Sequence, residues 1–248
     1  MTSTAADTAP APVPPASRGG RVRWAVVLLT SLTIVGYAVG TYAQASLPIA
    51  ASKGGLSATY AERPMAVQVT FYVHIVTAAL ALLVGPFQFS TALRRRSPAV
   101  HRWTGRVYVF GVAVGSLAAF VMAFFNSVAF NGFFGFGGLA LLWAWTTWRG
   151  YRAVRHRDLP SHRAWMIRSF ALTYAAVTLR SWLGVLILLQ TLTAQGHVDG
   201  ERLFDNAYAA VPFLCWLPNL IVAEFLIRRR GLPSYRLTPA PAARGRHS

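Results

Sequence analysis

Six apolar runs separated by arginine clusters constrain this chain more than any other feature. The runs lie near 24–46, 67–93, 107–126, 130–148, 164–190 and 205–227, each close to or above the about 20 residues that carry a helix across a bilayer. In hydrocarbon every backbone N–H and C=O must be satisfied within the protein, so runs of this length become helices. The expected fold is all-α, a polytopic transmembrane bundle of six helices over residues 21–231. Residues 1–20 and 232–248, rich in Ala, Pro and small polar residues, hold too little apolar surface to fold and are expected to be disordered cytoplasmic tails.

The charges orient the spans. Arg18, Arg21 and Arg23 precede the first run; Arg94, Arg95, Arg96, Arg102 and Arg106 join the second to the third. Arg149, Arg152, Arg155, Arg157, Arg163 and Arg168 join the fourth to the fifth, and Arg228, Arg229, Arg230, Arg236, Arg244 and Arg246 follow the last. The other connections hold only Lys53, Arg63 and Arg202, together with Glu62, Asp199, Glu201 and Asp205. The positive-inside bias therefore places both termini in the cytoplasm.

In a soluble protein a formal charge of +17 would point to nucleic acid. Here the charge sits beside membrane spans, where it meets anionic lipid headgroups at about 1 kcal/mol per basic residue, and no nucleic-acid-reading motif accompanies it. Membrane lipids are the expected partners, and nucleic acid is set aside. The sole cysteine, Cys215, falls in an apolar run and leaves neither a disulfide nor a cysteine metal cluster within one chain. With short loops there is no room for a separate catalytic domain, so any chemistry happens in or beside the bilayer.

Local signals refine the bundle. Ala43-Gln44-Ala45 resembles a signal cleavage site, but the first run exceeds the about 7–15 residues of a signal core, so a retained helix is expected. Gly36 with Gly40, and Gly111 with Gly115, are small residues four apart that let helices approach closely in lipid. Glycine and phenylalanine mix over residues 131–138, as in a tight turn feeding a helix. Pro212 and Pro218 interrupt the last run and predict a kink whose freed carbonyls need donors.

Histidine and arginine supply the candidate chemistry. His156, His197 and His247 fall in loops or tail. His101 and His162 occupy matching places: Ser97-Pro98-Ala99-Val100-His101-Arg102-Trp103 leads into the third run and Leu159-Pro160-Ser161-His162-Arg163-Ala164-Trp165 into the fifth. Two helix N-termini carrying His-Arg pairs at one face attract an anion, although tryptophan and arginine also anchor ordinary spans at the interface.

His74 lies deeper, on a face with Thr70, Thr77, Ala81, Gly85 and Gln88 that is polar or small and should look inward. In the fifth run His162, Ser169, Thr173, Ala176, Arg180 and Gly184 share a face. Arg180 costs about 2.5–3.5 kcal/mol at mid-membrane on insertion scales, so it needs a partner, a polar cavity or a bound anion. By depth Glu224 matches Arg168, His162 and His101, whereas Arg180 matches His74. An intramembrane polar site of His74, Arg180, Gln88 and Thr173 follows, with a second polar layer toward the cytoplasm.

Several motifs in order carry a family likeness: Phe71-Tyr72-Val73-His74, Gly85-Pro86-Phe87-Gln88-Phe89, His101-Arg102-Trp103-Thr104-Gly105-Arg106-Val107-Tyr108, and His162-Arg163-Ala164-Trp165-Met166-Ile167-Arg168, with Leu179-Arg180 beyond. Over roughly residues 65–190 the chain resembles the predicted bacterial membrane proteins called domain of unknown function 2306. The resemblance implies a polytopic fold in the bacterial cytoplasmic (inner) membrane and no established activity.

Two function classes fit this inventory. The first is a redox or respiratory-assembly accessory protein associated with haem b or a quinone. His101 and His162 would be the haem iron ligands, with Arg102, Arg106, Arg163 and Arg168 around the propionates. The second is a small-molecule or anion transporter, or a lipid-binding protein, that uses His74 and Arg180; paired broken helices and inverted symmetry are missing from it. A zinc hydrolase ranks third, since no His-Glu-x-x-His spacing occurs.

Overall fold

A computed structural model describes residues 18–43, 47, 49, 56–194 and 199–234. The expected tails fall almost wholly outside these residues, as do Gln44 and Ala45 of the cleavage-like triplet, Lys53, His197 and His247. The elements are α1 (Arg18–Tyr42), α2 (Ala58–Ala61), α3 (Met65–Gln88), α4 (Thr91–Arg96), α5 (Pro98–Ala123), α6 (Ala129–Arg155), α7 (Leu159–Thr173), α8 (Ala175–Thr193), α9 (Gly200–Leu214) and α10 (Leu217–Arg229).

Five stretches are long and apolar enough to cross a membrane: Gly19–Tyr42, Met65–Gln88, Pro98–Ala123, Leu159–Thr193 and Gly200–Arg229. Among the described residues these account for five of the six expected runs. The fourth apolar run becomes α6, which has 27 residues, but its five glycines and three tryptophans dilute its apolarity. It meets the length requirement alone.

Helix starts differ from the hydropathy edges for a local reason. Proline is tolerated in the first turn, where its missing N–H has no partner to lose. Accordingly α5 begins at Pro98, well before the apolar run, and α7 begins at Leu159 with Pro160 in its first turn. Asp158 caps α7 by accepting the Ser161 N–H at 3.0 Å. His101 and His162 thus both sit near the start of a helix, and the basic residues beside them are helical.

Close approach holds the bundle together, since lipid offers no hydrophobic drive between helices. A Cβ on Gly111 would stand 2.9 Å from the Thr77 carbonyl oxygen, and one on Gly115 would stand 2.9 Å from Thr77 Oγ1, so this pair lets α5 settle on α3. The other pair does no such thing: a Cβ on Gly36 or Gly40 would meet nothing within 4 Å. At the glycine-rich start of α6, a Cβ on Gly135 would lie 2.4 Å from Pro212 Cβ, which accounts for the small residue there.

The last run is broken at Cys215–Trp216, as its prolines predict, and side chains satisfy the carbonyls around the break. The Cys215 carbonyl accepts from Thr178 Oγ1 at 2.5 Å and Asn219 Nδ2 at 3.1 Å. Trp216 Nε1 donates to the Pro212 and Gly135 carbonyls. A further irregularity at Tyr174 divides α7 from α8; there the Tyr174 carbonyl accepts from the Val177 N–H at 2.9 Å, a tightened turn.

The main core joins Ala81, Tyr108, Trp143, Leu172, Leu183 and Val211, one from each of six helices. α1 stands at its edge and is little buried. It is tied on by Trp24 Nε1 donating to the Pro86 carbonyl at 3.0 Å and by a 2.7 Å hydrogen bond between Thr30 and the Tyr174 hydroxyl.

Candidate functional site

His74 enters the bundle from the middle of α3 and is held by one hydrogen bond. Its Nδ1 lies 2.9 Å from the Gly115 carbonyl oxygen. A carbonyl can only accept, so Nδ1 carries the proton, and Nε2 of the neutral ring is left as an acceptor. Gly115 is what permits this: the bare backbone of α5 comes close enough for its carbonyl to meet the imidazole. The ring also meets Trp143 edge-on, with centroids 6.5 Å apart.

Arg180 reaches the same space from α8. Nη1 donates to the Ala176 carbonyl at 2.8 Å, and the guanidinium lies over the Tyr37 ring at 5.5 Å. Nε is buried and makes no hydrogen bond. His74 and Arg180 both line one cavity of about 200 Å³, whose other walls are almost entirely apolar and include Ile34, Ala38, Leu82, Met122 and Leu179. Tyr42, Tyr60 and Thr173 add hydroxyls to its wall. Burial pushes the Tyr60 phenol up to about 12, with Arg63 opposing, so this hydroxyl stays protonated.

Thr173 and Trp143 of the cavity wall also belong to a buried polar network. Tyr108 is 1% exposed, and its hydroxyl bonds Ser169 Oγ at 2.8 Å and Thr173 Oγ1 at 2.7 Å. Trp143 Nε1 donates to Thr173 Oγ1 at 2.8 Å, and Thr147 meets Ser169 at 2.6 Å. Such a closed network rigidifies the packing around it. Neither Tyr108 nor Trp143 stands out in the sequence; Ser169 and Thr173, four apart in an apolar run, are the only signal of the network.

Of the four residues assigned to the intramembrane site, the structure brings three together and separates one. His74, Arg180 and Thr173 line the cavity. Gln88 shares a face with His74 but lies 14 residues further along α3, about 21 Å away at 1.5 Å per residue. Its Nε2 donates to Thr104 Oγ1 at 2.6 Å, beside the start of α5. Tyr42, Tyr60 and Trp143 are cavity residues that sequence reasoning missed, because aromatics in apolar runs read as packing.

The opposite end gathers the basic groups. Arg94, His162 and Arg102 act electrostatically on His101, whose Nδ1 is buried without a partner. His162 Nδ1 donates to the Gly150 carbonyl at 2.9 Å. Burial first, then Arg163 and Arg95, holds the Arg94 guanidinium below its usual range, which marks a crowd of like charges. Arg102, Arg106 and Arg163 are exposed, with Arg106 over the Trp103 ring at 4.9 Å.

Arg168 differs from these three. It is 4% exposed and pairs side-on with Glu224, Nη2 to Oε2 at 2.9 Å, while stacking on Trp165 at 4.6 Å. Of the three residues that depth matched to Glu224, namely Arg168, His162 and His101, Arg168 is the one that pairs with it. Among the described residues no group of three or more His, Cys, Asp or Glu is placed to hold a metal ion.

The chain belongs to the family described as Predicted membrane protein (DUF2306), whose model matches residues 71–227, more than half of the 248 residues. The match spans α3 from Phe71 through α10 and so includes His74, His101, His162, Arg168, Arg180 and Glu224. No curated protein and no solved structure matches the chain.

Proposed function

We propose that this chain is a multi-pass protein of the bacterial inner membrane that binds a single-ring quinone- or quinol-type head group between His74 and Arg180. The observation that carries the reading is one largely apolar cavity whose wall includes both an imidazole, held through Nδ1, and a guanidinium. A hydroxyl can donate to His74 Nε2 while a ring oxygen accepts from Arg180. Size agrees, because a cavity of about 150 Å³ holds benzene and this one is about 200 Å³. The imidazole can also take up a proton from a bound hydroxyl.

Six crossings with both termini cytoplasmic remain the reading of topology. At 1.5 Å per residue α6 is about 40 Å long, it packs along both α5 and α7, and its connections to them are short. Arginine clusters then fall on one side throughout.

The test is a titration of the detergent-purified protein with a short-chain benzoquinone, followed by tryptophan fluorescence, since Trp143 lines the cavity. Saturable quenching is expected, weakened at least about tenfold in Arg180→Gln, because hydrogen bonds to charged groups contribute about 1.5–3 kcal/mol, and about two- to tenfold in His74→Ala, where a neutral bond contributes about 0.5–1.5 kcal/mol. Linear quenching that both variants share would overturn it. Saturable binding of decanoate that depends on Arg180 alone moves the site to the anion- or lipid-binding class.

A haem b between His101 and His162 is the second reading. It is favoured by the partnerless Nδ1 of His101 beside His162. Arg102, Arg106 and Arg163 would face the propionates, with Arg168 occupied by Glu224. Oxidised and dithionite-reduced spectra decide it: a Soret band lost in His101→Ala and His162→Ala supports the haem, and a colourless protein after haem supplementation removes it.

A further inference from the structure

A groove outside the His74–Arg180 cavity runs between α6, α7 and α10, with a volume of about 570 Å³, within the about 300–1,000 Å³ typical of ligand sites. Its α10 wall is one helix face, Leu217, Ile221, Phe225 and Arg228, at three-and-four spacing. From Leu217 to Arg228 is eleven residues, about 16 Å, close to half of the about 30 Å hydrocarbon core. The groove is therefore one leaflet long, apolar at one end and basic at the other.

On the facing side Leu142 and Trp145 of α6 continue the apolar wall. Trp145 also carries the Arg149 guanidinium at 5.6 Å, and Arg149 lies over Trp165 at 4.8 Å. Arg168 on the floor is matched by Glu224, so the charge offered at the basic end comes from Arg149 and Arg228. A tail-length apolar slot ending in two cations beside indole rings has the shape and charge of an anionic phospholipid.

From this geometry we infer that the groove is a site for one anionic phospholipid of the surrounding bilayer, its phosphate at Arg149 and Arg228 and an acyl chain along Leu217 and Ile221. The interaction is independent of the quinone reading and stands or falls without it.

Full-length protein reconstituted in phosphatidylcholine vesicles, with a minor fraction of brominated phosphatidylglycerol or brominated phosphatidylcholine, tests the site. The readout is the quenching lost on Trp145→Phe, which isolates this indole from the other seven. Phosphatidylglycerol should occupy the groove at least about fivefold more tightly than phosphatidylcholine, the effect of one arginine near a charged headgroup. Arg228→Gln, an exposed position, should remove most of that preference, and adding Arg149→Gln should abolish it. Equal quenching by the two lipids, meaning annular contact only, overturns the inference. So does a preference that survives in a double variant whose helix content matches wild type.

Discussion

Arg168 and Arg180 lie twelve residues apart on neighbouring helices and are treated in opposite ways. Arg168 is buried, matched by the Glu224 carboxylate and stacked on Trp165. Arg180 has a carbonyl of its own helix, the face of Tyr37 and an Nε with nothing bonded to it. A buried charge that is matched belongs to the framework. One whose Nε is left unbonded beside an apolar cavity has no such place in the framework. The contrast teaches that burial of an arginine in a membrane bundle says little until its remaining donors are accounted for.

Four measurements break or sharpen that contrast. The largest effect is expected for Glu224→Ala, which strands Arg168 without its carboxylate and should lower stability by about 3 kcal/mol in denaturant titration of the detergent-purified protein; the 32% exposure of Glu224 argues for the lower end of such losses. Arg180→Met should move the ligand-free protein the other way, up by about 2 kcal/mol, because an intramembrane charge is removed with little lost in return. A drop instead would class Arg180 with Arg168.

Between the two layers, Tyr108→Phe removes the hydroxyl shared by Ser169 and Thr173 and should cost about 1–2 kcal/mol, with quinone binding intact. The smallest effect concerns the start of the helix that carries Arg168. Bonds from the Ser161 hydroxyl and N–H hold the Asp158 carboxyl below its usual range. Its stabilisation is therefore fully present above the ordinary carboxylate value near 4 and fades as pH falls through the lowered one. Thermal unfolding should separate wild type from Asp158→Ala at neutral pH and not in strong acid.

Depth arithmetic made part of this legible in the sequence. Depth matched Glu224 with Arg168, His162 and His101, of which Arg168 is its ion-pair partner, and matched Arg180 with His74, which lines the same cavity. Face-sharing without depth misassigned Gln88, since residues on one stripe of a long helix can serve opposite ends of it. Prolines announced the break near Cys215, but nothing in Leu172-Thr173-Tyr174-Ala175 signals the irregularity at Tyr174, whose side chain is held by Thr30 of a distant helix. Hydropathy found α6 as a run and overrated its apolarity. The equivalence of the two glycine pairs also failed, because spacing shows that a close approach is sterically open and not which neighbour uses it.

The wall that α1 lends to the chamber, Ile34, Val35, Ala38 and Tyr42, precedes the matched region that starts at residue 71. The lining of the chamber can thus be re-cut by exchanging a single peripheral rod, with His74 and Arg180 left in place.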